Sequence, residues 1–174
     1  MSNTETIDHS KRRLFTRWRT AATSYSAPEN LASEKLSRQA ARPPFAVDES
    51  LFLRLCDGCG QCASACPSQN ITMEKGVAAI DISYVACDLC GRCQQACPTL
   101  ALAEQTAHTG LVATIANSCE NMYGFCDSCE SSCPYGALVW QEDAKPRIDT
   151  ALCKGCGQCT QSCYNSMISF QLMT

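Results

Sequence analysis

Four cysteine quartets constrain this chain more than any other feature. Quartet one is Cys56, Cys59, Cys62 and Cys66, quartet two is Cys87, Cys90, Cys93 and Cys97, and quartet four is Cys153, Cys156, Cys159 and Cys163; all three read C-x2-C-x2-C-x3-C. Quartet three, Cys119, Cys126, Cys129 and Cys133, keeps the last two gaps and stretches the first to six residues. All 16 cysteines of the 174 residues are used. The intervals between quartets are 20, 21 and 19 residues, a near-constant period that marks an internal repeat. Phe, Trp and Tyr together number only 12, so an aromatic-rich core is not available and the repeat itself has to organise the fold.

Thiols at this density are either disulfides or metal ligands, and the redox compartment decides between them. Ser10-Lys11-Arg12-Arg13-Leu14-Phe15 looks like the start of a twin-arginine export signal, but Thr16-Arg17-Trp18-Arg19-Thr20 and a polar, Ser-rich stretch follow where an apolar segment is needed. The protein is therefore expected to be cytoplasmic, where thiols stay reduced. No apolar run approaches the roughly 18 residues of a membrane-spanning helix. Metal chemistry is the expectation for all sixteen cysteines.

The spacing narrows the metal. Three thiolates at a three-residue pitch on a tight loop fit three corners of an iron-sulfur cube, while a fourth, expected to start the following helix, points away to a neighbouring cube; this is the bacterial 4Fe-4S run. Gly60, Gly91 and Gly157 follow the second cysteine, where the loop must bend closely, and quartet three has Asp127 there. Pro67, Pro98 and Pro134 follow the fourth cysteine, with Tyr164 in the last repeat. Ala65, Ala96, Ser132 and Ser162 precede it and leave room for a short helix against inorganic sulfur. Structural zinc favours two C-x2-C pairs separated by a loop, and c-type haem needs a histidine directly after such a pair, which neither His9 nor His108 provides. Four clusters are expected, with all sixteen cysteines as ligands; quartet three, with its altered loop, is the one that a degenerate repeat would have emptied.

The connecting segments fit strands. Ile71, Leu102, Leu138 and Ile168 each lie five residues after a fourth cysteine. Residues 71–74 and 77–82 around Lys75-Gly76 predict a hairpin. Residues 138–142 with 147–149 predict a second, and residues 100–103 with 111–115 a third, while 168–172 alternates as a final strand. Trp140 and Tyr135 are read as packing residues. Neighbouring quartets are expected to share a lobe, so that Cys97 joins Cys56, Cys59 and Cys62, Cys66 joins Cys87, Cys90 and Cys93, and Cys133 and Cys163 exchange likewise; nested pairing of one with four and two with three is the alternative.

Charge divides the chain. Residues 1–43 carry 8 Lys and Arg against 4 Asp and Glu, whereas the remainder carries 6 against 13. Residues 29–41 could form a short amphipathic helix, and Arg42-Pro43-Pro44-Phe45 reads as an extended connector. The acidic remainder argues against nucleic acid as a partner. Arg12, Arg13, Arg17 and Arg19, interleaved with Phe15 and Trp18, have the composition of an interface anchor, with a solvated basic tail as the alternative.

The quartets with trailing Pro and hairpin spacers resemble two-cluster bacterial 4Fe-4S ferredoxins over residues 53–172. That resemblance implies an α+β fold of two such lobes with short hairpins and helices. The whole layout is similar to the NapF family, ferredoxin-type accessory proteins of the periplasmic nitrate reductase system: it combines the basic start at Lys11-Arg12-Arg13-Leu14-Phe15-Thr16-Arg17-Trp18-Arg19, the Arg42-Pro43-Pro44-Phe45 segment with Glu49 and Phe52, and the stretched third quartet. This resemblance implies a cytoplasmic protein that associates with the catalytic subunit NapA and serves its maturation or reductive activation before export. A polyferredoxin electron-transfer subunit of another dehydrogenase or reductase complex is the alternative. No zinc-protease, P-loop or dinucleotide motif is present, so no substrate site of its own is expected. The expected division is a basic N-terminal extension over 1–45, a first lobe over 46–104 and a second over 105–174.

Overall fold

Cys62 and Cys93 are buried on two helices of only four and five residues, far too short to be stable alone, so packing must hold them. The computed structural model describes residues 36–173, within one compact unit spanning Lys35–Thr174. In chain order its elements are α1 (Glu49–Leu55), α2 (Gln61–Ser64), β1 (Ile71–Glu74), β2 (Val77–Ile80), α3 (Arg92–Ala96), β3 (Leu111–Ile115), a 3-10 turn (Glu120–Met122), β4 (Leu138–Val139), β5 (Arg147–Ile148), α4 (Gln158–Ser162) and β6 (Ile168–Leu172). Short helices and antiparallel pairs of strands make an α+β ferredoxin-like fold.

The first two hairpins form as the sequence indicates. β1 pairs with β2 from Ile71↔Ile80 to Glu74↔Val77, and Lys75 and Gly76 take the positive φ that the turn requires. β4 pairs with β5 through Leu138↔Ile148 and Val139↔Arg147. Ile71, Leu102, Leu138 and Ile168 are all buried, although Leu102 lies in a turn.

The third hairpin does not form. β3 pairs instead with the C-terminal strand β6, Leu111↔Leu172 through Ile115↔Ile168. The segment expected to partner it is already bonded within the first lobe: Val47 N–H donates to the Ala101 carbonyl at 3.1 Å, and Glu104 N–H to the Phe45 carbonyl at 2.8 Å. Each lobe is thus closed by its own first and last segments, which satisfies backbone groups that a hairpin across the lobe boundary would have left unpaired.

The segment around the proline pair belongs to this closure. Pro43 and Pro44 are fully buried, Ile80 N–H donates to the Ala41 carbonyl at 3.1 Å, and Arg42 Nη1 donates to the Ala78 carbonyl at 3.1 Å. Residues 36–41 are not helical, and the rest of the helix expected over 29–41 lies outside the described residues. So do the basic residues 10–19. Two apolar cores result. Phe52, Ile71, Ile80, Ile82 and Leu102 surround Cys62 and Cys93 in the first lobe, and Val112, Leu138 and Ile168 surround Cys129 and Cys153 in the second. Among the described residues no helix is long and apolar enough to cross a membrane.

Candidate metal centre

Gly60, Gly91 and Gly157 sit at φ 73°, 76° and 88°, immediately before α2, α3 and α4. A left-handed residue at this point reverses the loop and launches the helix, and glycine adopts it without the Cβ clash that other residues meet. The third cysteine of these three quartets, Cys62, Cys93 or Cys159, then lies inside the helix. The fourth ends it rather than starting it: Cys97 and Cys163 are the C-terminal caps, and Cys66 follows the cap Ala65. Pro67 and Pro98 favour that stop, because the residue before a proline is driven out of the helical region.

This arrangement aims the fourth cysteine of each quartet away from its own loop. Cys119, Cys126 and Cys129 line one small apolar cavity together with Cys163, and Cys153, Cys156 and Cys159 line another together with Cys133. In the first lobe, burial pushes the Cys62 thiol up, and charges on Cys56, Cys97 and Cys59 add to the effect. Burial likewise raises Cys87 to about 11, with Cys66 and Cys90 adding to it, and Cys93 to about 12, with Cys87, Cys62 and Cys66 adding to it. Four thiol sets emerge: Cys56, Cys59, Cys62 and Cys97 form set one; Cys66, Cys87, Cys90 and Cys93 form set two; Cys119, Cys126, Cys129 and Cys163 form set three; Cys133, Cys153, Cys156 and Cys159 form set four. The groupings follow the exchange between neighbouring quartets rather than the nested pattern.

The electrostatics describe what such sets demand. Cys159 is pushed up to about 12 by burial and by Cys156, Cys153 and Cys133. Thiols held so high do not ionise together in low dielectric without a positive partner among them, which is the condition under which metal binding displaces protons. Cys97 goes the other way: burial would raise it, but the backbone N–H and the hydroxyl of Thr99, with the N–H groups of Leu102 and Ala101, outweigh that and lower it. Cys133 and Cys163 accept N–H bonds from Ala137 at 3.2 Å and Met167 at 3.3 Å. Among the described residues no three Cys, His, Asp or Glu side chains approach closely enough for a single metal ion.

A family model described as a 4Fe-4S dicluster domain matches residues 55–101 and again 124–171. The ferredoxin-type protein NapF of Escherichia coli is 30% identical, the match covering 96% of this chain and 97% of that one. NapF of Haemophilus influenzae is 30% identical over 91% and 92%, and an uncharacterized protein of the same organism is 38% identical over 78% and 81%. The chain belongs to the NapF family of ferredoxin-type proteins. It carries 4Fe-4S clusters, about four, in its two dicluster stretches.

The stretched quartet of this NapF-family chain is built differently from the others. Asp127 replaces the loop glycine, no left-handed residue occurs there, and residues 128–131 form a turn where the other quartets have a helix. The six-residue gap is folded by the 3-10 turn and pinned by Asn121, which sequence reasoning did not single out. Asn121 is 1% exposed; its Nδ2 donates to the carbonyls of Gln141 at 2.6 Å and Ala144 at 2.8 Å, and its Oδ1 accepts from Cys126 N–H at 3.4 Å. Trp140, read as packing, also donates from Nε1 to the Cys126 carbonyl at 3.0 Å. Tyr164, in place of the trailing proline, brings its hydroxyl to 3.9 Å from Cys126 Sγ, and Ser128 Oγ lies 3.7 Å from the same sulfur. A lone Asn in a loop of polar residues carries no periodic signal by which it could have been found.

Proposed function

We propose that this protein is a cytoplasmic electron-transfer accessory protein for the catalytic subunit of periplasmic nitrate reductase, NapA, acting in its maturation or reductive activation before export. The observation that carries this reading is the similarity to NapF proteins over more than nine-tenths of both chains. All sixteen cysteines are assigned as ligands, four to each set. When bound, the clusters supply one-electron transfer. The chain's own part is to hold four thiolates per set, to keep water from the buried Cys62, Cys93, Cys129 and Cys153, and to orient the fourth cysteine across each lobe. No nucleic acid and no substrate site of its own enter the reading. Residues 10–19, with four Arg around Phe15 and Trp18, are assigned to docking the partner.

The test is binding of the anaerobically reconstituted chain to unexported NapA, measured by co-purification and calorimetry. Binding is expected, with weaker binding after deletion of residues 1–40 and unchanged iron content. Failure of the full chain to bind NapA overturns the partner assignment.

A further inference from the structure

The two lobes meet where ligand loops meet. Cys87 N–H donates to the Cys156 carbonyl at 2.7 Å, so the loop of quartet two is bonded directly to that of quartet four. Around this bond, Gly157 lies so close to Ile82 and Ala86 that even a Cβ would stand 3.4 Å from each. Gln158 Nε2 donates to Asp88 Oδ1 at 3.2 Å, and Gln161 Nε2 to the Tyr84 carbonyl at 3.3 Å. Tyr135 lines the cavity of Cys133 and Cys156 beside Gly157. A further bond between the lobes, from Arg42 N–H to the Thr109 carbonyl at 3.0 Å, involves no cysteine.

Cys87 belongs to set two and Cys156 to set four. Within the first lobe, Cys62 of set one and Cys93 of set two lie in the same buried core. Within the second, sets three and four are tied by the exchange of Cys133 and Cys163. We infer that the four sets stand in single file in the order one, two, four, three, and that electrons pass between the lobes at the Cys87–Cys156 junction. The sequence order of the quartets would have put set two beside set three. Sets one and three become the two ends of the file, facing an external one-electron donor protein and an external one-electron acceptor protein. A crossing electron is balanced by a one-unit oxidation on the side it leaves and a one-unit reduction on the side it reaches; no bond or proton moves. The inference rests on the ligand assignment proposed above.

Magnetic coupling between reduced clusters reads this order without any partner. Two full-length variants are compared by electron paramagnetic resonance after anaerobic reconstitution and dithionite reduction. Cys59→Ala with Cys126→Ala removes sets one and three, and Cys90→Ala with Cys159→Ala removes sets two and four. The first is expected to give a split, interacting signal and the second two isolated signals. An uncoupled first variant or a coupled second overturns the file. Each variant should hold about eight iron; a different iron count overturns the ligand assignment and the inference with it. Where a double variant does not fold, the single Cys126→Ala chain serves: with set three removed, sets two and four should remain coupled, and an isolated set-four signal overturns the junction.

Discussion

The guanidinium of Arg42 is buried against the carboxylate of Glu49, with Nη2 2.5 Å from Oε1 and Nε 3.1 Å from Oε2, and the side chains are 5% and 0% exposed. Arg42 also lies 4.9 Å over the ring of Phe52 and bonds the Ala78 carbonyl. One residue thus ties the proline segment, α1 and the β1–β2 hairpin together immediately before Cys56. Removing either partner leaves a buried charge unpaired, at a cost of about 3–5 kcal/mol. Arg42→Met or Glu49→Gln should lower the anaerobic urea midpoint by a corresponding amount, and Arg42→Met with Glu49→Met should recover part of the loss.

The exchange of fourth cysteines predicts a crossed pattern of cluster loss. Cys97→Ala should disable the cluster of Cys56, Cys59 and Cys62, and Cys66→Ala that of Cys87, Cys90 and Cys93. Iron should fall from about 16 to about 12 in each case. Mössbauer and resonance Raman spectra of Cys97→Ala should match those of Cys59→Ala; a match to Cys90→Ala instead would contradict the exchange.

Gly58 and Gly60 share a positive φ but differ in what surrounds them. A Cβ on Gly60 meets open space, so Gly60→Ala should cost only the left-handed strain of about 1–2 kcal/mol. On Gly58 it would strike the Gly76 carbonyl oxygen in the β1–β2 turn. Gly58→Ala should therefore be the more damaging substitution, with slower reconstitution of the first-lobe clusters followed by visible absorbance.

Asn121 closes the stretched gap of quartet three with side-chain bonds to Gln141, Ala144 and Cys126. Asn121→Ala leaves buried backbone groups unpaired, each at about 1–3 kcal/mol. Amide exchange should accelerate across 117–127 and 141–145 while the first lobe is unchanged, and a chelator should extract the set-three iron first.

The Tyr164 hydroxyl stands 3.9 Å from Cys126 Sγ and 3.3 Å from Glu120 Oε2, to which it also donates. Hydrogen bonds to a ligand sulfur stabilise the more negative, reduced state and raise the potential. Tyr164→Phe should shift one redox wave to a more negative value in film voltammetry, leaving the others and the iron content in place; an unchanged wave would show that the hydroxyl does not reach the sulfur when the cluster is bound.

Much of the molecule was legible in the quartets because ligand spacing is a local property. Gly60, Gly91 and Gly157 announced the left-handed turn, and the fixed five-residue offset announced the buried Ile71, Leu138 and Ile168. The first hairpin followed from Lys75-Gly76, whose turn chemistry acts over two residues. Pairing between segments distant in sequence was not legible. Leu111–Ile115 is apolar enough to join any nearby edge, and only the prior bonding of Ala101 and Glu104 to the 45–47 backbone sends it to β6.

By itself the sequence determined the cofactor class, the sixteen candidate ligands and the repeat, because thiolate pitch and loop glycines state their chemistry within a few residues. The tertiary structure alone decided that Arg42 and Pro43 belong to the core, that Asn121 and Tyr164 serve quartet three, and that quartet two meets quartet four. Those outcomes depend on which buried backbone groups and charges find partners across 20 to 69 positions of chain, a competition settled by burial and packing that no local spacing records.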